Sequence, residues 1–187
     1  QVCAVPYDPS AMVHTAWDLG YRDSTSIWCF QLVGRSVHVI DFYQDNNKSL
    51  QHYLDWLRGQ RYNFGQHFVP HDAASKEKGT GLSYEEQALK YNFYLTVLPR
   101  ESILKGINAA RILFPTCWFD KTKTGEGIAA LKSYRKAWSE RYACYTDSPL
   151  HDAASHAADS FRYLAIAVDK LKREDGGMTA EELREVA

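Results

Sequence analysis

The sequence predicts one mixed α/β domain, a sheet of about five strands with helices on its faces. Two observations on order carry this: three strand-like segments joined by short turns come early, and strand and helix patterns then alternate before helical periodicity takes over. Composition agrees. With 187 residues, 45% hydrophobic and 13% aromatic, the chain is long enough to bury a full core and too apolar to remain unfolded.

Residues 1–10, with Pro6 and Pro9 flanking Tyr7-Asp8, have no period and read as an extended lead-in, a linker over 1–12. Residues 12–17 and 25–33 suit strands buried on both faces. In the second, Ile27, Cys29, Gln31 and Val33 fall on one side and Trp28, Phe30 and Leu32 on the other. Gly34-Arg35 turns the chain into a third strand, 37–43, giving an antiparallel meander. Leu50, Tyr53, Leu54 and Leu57 recur at i, i+3, i+4 and i+7, which predicts a helix over 49–58 that Gly59 stops.

Residues 64–70 form a short apolar strand that delivers Asp72 just past its end, and a Ser/Lys/Gly-rich loop, 75–83, follows. Ser83-Tyr84-Glu85-Glu86 has the form of a capping box opening a helix to about Tyr91, and 94–98 is the next strand. Strand, helix, strand implies a parallel crossover. Further helices are expected over 101–113, 127–141 and 149–172, with Tyr134, Trp138 and Tyr142 at fourfold spacing packing inward. The domain spans 13–173; the tail, 174–187, is charged and interrupted by glycine. His-Asp-Ala-Ala-Ser occurs at 71–75 and at 151–155, in flanks so different that the repeat reads as coincidence.

A formal net charge of -1 gives no global attraction to nucleic acid, so any such contact must come from local basic patches. Cys3, Cys29, Cys117 and Cys144 form no C-x-x-C pair, which argues against structural zinc and for buried thiols in a reducing compartment. There is no leader and no run of about 18 apolar residues, so a soluble intracellular protein is expected.

Chemistry concentrates on three acids in three settings: Asp18 ending a strand, Asp72 after Val69-Pro70-His71, and Asp159 inside a helix. Carboxylates delivered by separate elements suit a shared site for hard divalent cations of the Mg type. Two such ions about 3.5 to 4 Å apart stabilise both attacking and leaving oxygens in phosphodiester hydrolysis. Crowded acids repel without ions, as a metal site should. Each acid has a plainer reading. Asp18 and Asp72 can be turn residues, and Arg162 at i+3 can pair with Asp159.

Asp152 lies seven residues before Asp159, about 10 Å along a helix axis, and suits the first helical turn, so it is an accessory candidate. His156, as a residue behind the ligands, and Asp23, in a polar turn, are the others. Candidate DNA contacts are Lys76 and Lys78 in the 75–83 loop, and Lys132, Arg135 and Lys136 on the basic stretch 121–142. No G-x-S-x-G elbow and no P-loop motif exists, which disfavours a serine triad and a P-loop ATPase.

Val5-Pro6-Tyr7-Asp8-Pro9, Thr15-Ala16-Trp17-Asp18-Leu19-Gly20 with Asp23-Ser24-Thr25, Pro70-His71-Asp72, and the run from His151 to Tyr163 together resemble the C-terminal nuclease domain of tailed-bacteriophage terminase large subunits. The ordered set covers about residues 3 to 170. The resemblance implies an RNase H-like fold and a metal-dependent endonuclease that cuts concatemeric double-stranded viral DNA during genome packaging. Carried over residue by residue, Asp18, Asp72 and Asp159 match its acidic triad, with Mg2+ or Mn2+ as the pair of cations; some relatives have Glu at the second position. It further implies an N-terminal ATPase domain on the same polypeptide, a terminase small subunit and a portal ring as partners, and work in the host cytoplasm at the procapsid portal. Other readings of the same residues are a non-catalytic module docking DNA or portal, and a Holliday-junction resolvase or transposase-type nuclease on the same fold.

Overall fold

The computed structural model describes residues 1–20, 24–76 and 81–174. In chain order these form β1 (Val2–Cys3), β2 (Val13–Asp18), β3 (Ser24–Val33), β4 (Ser36–Asn46), α1 (Leu50–Gly59), β5 (Phe64–Val69), a 3-10 turn (His71–Ala74), α2 (Tyr84–Leu89), β6 (Leu95–Val97), α3 (Ile103–Leu113), β7 (Cys117–Asp120), α4 (Gly125–Ser133), β8 (Lys136–Ser139), β9 (Cys144–Pro149) and α5 (Ala153–Glu174).

The meander forms as its sequence predicts: β2, β3 and β4 pair antiparallel, and Gly34 takes the left-handed φ of 59° that the tight turn needs. β5 then lies parallel to β2, and β6 parallel to β5 after the α2 crossover. On the other side β7 pairs parallel with β4 and β1 with β7. The sheet therefore has seven strands in the order β1-β7-β4-β3-β2-β5-β6, rather than five. The two unforeseen strands span two and four residues, too few for a period of two to show in the sequence.

Alternation along β3 splits the core in two. Trp28 and Phe30 join Ala16, Phe68 and the inner faces of α3, α4 and α5, whereas Ile27 and Cys29 join Val13, Trp17 and the apolar stripe of α1. α5 lies close against β3 because its facing residues are small. Ala157 and Ala158 let the Trp28 indole donate to the Ala157 carbonyl at 2.9 Å, and Ser26 donates to the His156 carbonyl at 2.8 Å. These two bonds set the height and rotation of α5, and hence where its polar side chains stand.

Three expectations need correction. The helix foreseen over 127–141 ends at Ser133, and β8 and β9 form a separate two-stranded hairpin. Tyr134 adopts extended backbone and ends the helix, and from there side chains alternate at period two, with Trp138 against Tyr145. Trp138 and Tyr142 are consequently exposed rather than packed inward, and Pro149 ends a strand instead of opening α5. Second, the lead-in is fastened to the domain: β1 completes the sheet edge, Val5 is buried, and the Gln31 side chain donates to the carbonyls of Asp8 and Ala11, both at 2.7 Å. Third, Cys29 and Cys117 are buried free thiols as expected, but Cys144 is exposed on the hairpin.

Candidate active site

Asp18 stands at the end of β2, two residues beyond the buried Ala16, and so points to the face that α5 covers. There Nδ1 of His156 lies 3.3 Å from its Oδ2, with both side chains largely shielded from solvent. Burial raises the Asp18 pKa above its ordinary value. The His156 contact offsets this in part, and the nearby charge of Asp159 adds to it.

One turn along α5 from His156, Asp159 is held by Arg162. The guanidinium donates to Oδ1 from Nε at 3.0 Å, and its Nη2 stands 2.7 Å from the same oxygen as an ion pair. Arg162 is only 9% exposed, which its pairing makes tolerable, and it crosses α3 at Gly106. Tyr134, where α4 gives way to the hairpin, places a buried hydroxyl beside this pair without a well-formed hydrogen bond. Burial, then the charge of Asp159, pushes its pKa up to about 12.

Asp72 arrives from β5. Pro70 closes the strand, and Asp72 lies in the first turn of the 3-10 helix, its backbone carbonyl accepting from Ser75 N–H at 2.8 Å and its side chain exposed. What links it to the other acids is Tyr163 on α5. That phenol is raised to about 12 first by burial and then by the charges of Asp18, Asp72 and Asp159, with Arg162 opposing. All three carboxylates therefore lie within electrostatic range of one phenol, which burial shifts more than they do.

They share a neighbourhood without forming a ligand set: among the described residues, no group of three or more His, Cys, Asp or Glu side chains stands close enough to hold a metal ion. The donor chemistry nevertheless fits a hard divalent cation, because the converging groups are carboxylates and Asp18 is a buried anion whose cost such an ion would offset.

The remaining candidates separate. Asp152 caps α5, accepting from Ala154 N–H at 3.0 Å, and pairs with Arg135 at 3.3 Å, a sufficient structural role. Lys136 pairs with Asp147 at 3.0 Å across the hairpin, so Arg135 and Lys136 each already face an acid. They belong to the connection after α4 and to β8, not to one continuous helix face. Lys76, just past the turn that carries Asp72, and Lys132, at the end of α4, are exposed. Asp23, Lys78 and residues 175–187 of the tail lie outside the described residues. Sequence reasoning gave no role at the site to Tyr163, Tyr134 or Gly106. Tyr163 could have been found from its i+4 spacing to Asp159; the other two sit far away in the chain.

No protein-family model and no curated protein matches the sequence. Solved structures do match. The large terminase of a thermophilic bacteriophage aligns with a TM-score of 0.68 at 19% identity, over 89% of this chain and 42% of that one. The P22 large terminase nuclease domain aligns at 0.66 with 14% identity, over 89% of this chain and 87% of that one. The g2p (large terminase) nuclease domain of bacteriophage SPP1, whose crystal structure holds bound Mn, aligns at 0.61 with 14% identity, over 90% and 96%. This chain thus spans about two-fifths of the thermophilic-phage protein and nearly the whole of the SPP1 domain. In its seven-stranded mixed sheet and its flanking helices, the chain has the RNase H-like fold of the large terminase nuclease domains.

Proposed function

We propose that this chain is the metal-dependent DNA endonuclease domain of a viral packaging terminase, acting on double-stranded DNA. One observation supports the reading: on a fold shared with terminase nuclease domains, acids from a strand end, a turn and a helix come within electrostatic range of a shared neighbour, Tyr163. Nothing in their local sequences requires that convergence. Asp18, Asp72 and Asp159 would be the residues that hold Mg2+ or Mn2+ ions. When bound, such ions supply Lewis acidity and neutralise charge on the phosphate oxygens.

The protein's own part is to hold the acids ionised and oriented. His156 fixes the rotation of the Asp18 carboxylate, and Arg162 fixes Asp159. The shielding of Asp18 lowers the local dielectric, which strengthens every charge interaction made there. Contacts to DNA would come from Lys76 and Lys132, which read backbone rather than bases and so imply low sequence preference. The reading carries with it a preceding ATPase domain, the small subunit and the portal ring as partners, and a place at the procapsid portal in the host cytoplasm. Its support is that this chain matches about two-fifths of the thermophilic-phage large terminase, which has also been solved in complex with ADP. Among the described residues no helix is long and apolar enough to cross a membrane.

Mn2+-dependent nicking of plasmid DNA tests the reading. Asp18→Asn should abolish it while circular dichroism stays native; nicking at the wild-type rate would overturn the assignment. Cleavage of four-way junctions in preference to linear duplex would favour the resolvase alternative.

A further inference from the structure

We infer that Arg162 is a positioning residue for metal loading: it pins one oxygen of Asp159 and leaves the other for the ion, and Gly106 exists to let it pass. This deepens the nuclease reading and rests on it. An ion pair at i,i+3 on a helix is ordinarily an exposed, weak contact. This one differs in two ways. The arginine is buried, at 9% exposure, where a long charged side chain is costly unless something requires its charge. Its Nε hydrogen bond, at 3.0 Å, and its ion-pair contact, at 2.7 Å, both fall on Oδ1 of Asp159, so the carboxylate is oriented through that oxygen.

The surroundings are shaped to it. Gly106 lies inside α3, where glycine is disfavoured relative to alanine. A Cβ built there would stand 3.2 Å from Cβ and Nη1 of Arg162 and 3.3 Å from its Cδ. Alanine would press on the arginine along its length, which would have to give by a few tenths of an ångström. The guanidinium carbon also lies 5.6 Å from the Tyr163 ring centre. The arginine is thus confined by α3 and by Tyr163, and Asp159 takes its orientation from it. Metal-ligating carboxylates gain affinity when a donor fixes their unused oxygen, and loss of that donor commonly weakens binding about 10- to 100-fold.

Calorimetric titration of the domain with Mn2+ tests this directly, without DNA. Arg162→Met should raise the dissociation constant about tenfold or more, Arg162→Lys should lie between it and wild type because one ammonium cannot reproduce two directed donors, and Gly106→Ala should shift in the same direction. In nicking assays, the half-saturating Mn2+ concentration should rise by more than the maximal rate falls. Unchanged Mn2+ affinity in folded Arg162→Lys and Gly106→Ala, both of which keep the charge, would overturn the inference even if Arg162→Met fails to fold. Tighter binding would overturn it too, since Arg162 would then be a competitor of the ion. A wild-type domain that binds no Mn2+ would instead remove the nuclease reading, and this inference with it.

Discussion

At the scale of single residues, function and stability pull Asp18 in opposite directions. Its folded pKa is raised by burial, so the ionised form needed for metal opposes folding: the stabilising, protonated form persists below the unfolded pKa and is lost as pH rises through the folded one. Asp18→Asn should therefore melt at a higher temperature than wild type in the absence of metal, while losing nicking; a lower melting temperature would show that the His156 contact outweighs the burial cost. His67 shows the reverse sign. Buried against Phe64 and Phe93, with Thr15 Oγ1 2.8 Å from Nδ1, its pKa is lowered to about 4 by burial and by His14. The neutral imidazole is the folded form, so its contribution is complete above about pH 6.5 and drains away as pH falls towards 4. Urea denaturation should show up to about 3 kcal/mol lost over that interval, and a His67→Gln variant should lose less.

At the scale of elements, α4 illustrates steric demand overriding helix propensity. Gly127 faces the core so closely that an added Cβ would lie 2.2 Å from Trp28 Cη2 and 2.9 Å from Phe42 Cδ2. Alanine would favour the helix by about 1 kcal/mol, but overpacking costs about 1–3 kcal/mol against two aromatic rings that themselves pack at 4.4 Å. Gly127→Ala should therefore be net destabilising, visible as a lower urea midpoint with unchanged slope. The repeated His-Asp-Ala-Ala-Ser shows the opposite balance, with local sequence prevailing. In both copies the Asp carbonyl accepts from the Ser N–H, at 2.8 Å for Asp72 and 2.9 Å for Asp152, so one pentapeptide opens a helical turn twice. Only its flanks decide whether the turn stops, as after Asp72, or continues into α5.

Across the whole molecule, the fastening of residues 1–12 to the sheet makes them part of its stability. Removing residues 1–9 should expose the edge of β7, take the buried Val5 out of the core and leave the buried Gln31 amide without its Asp8 carbonyl partner, a loss of about 3 kcal/mol or more by denaturant titration. Ion binding should act at the same scale. If the acids take up Mn2+, saturating it at about 100 times the dissociation constant should add about 2.7 kcal/mol to the wild type and little to Asp18→Asn. An equal rise in melting temperature for both would place any bound ion elsewhere.

The meander, α1, the capping box of α2 and the crossover to β6 were legible because each is specified by its own residues: a period of two or of 3.6, Gly34 at a positive φ, Ser83 with Glu86. The hairpin was not, since Tyr134, Trp138 and Tyr142 satisfy helical spacing and strand alternation alike, and only the extended backbone at Tyr134 breaks the tie. At the candidate site, the sequence by itself determined which acids stand at a strand end, in a turn and inside a helix, because those placements follow from short-range pattern. That Asp18, Asp72 and Asp159 come within electrostatic range of one phenol, and that Arg162 packs against Gly106 while it pairs with Asp159, was decided only by tertiary structure. The small residues that bring α5 against Trp28 set that height and rotation, and such long-range fitting leaves no period in the chain.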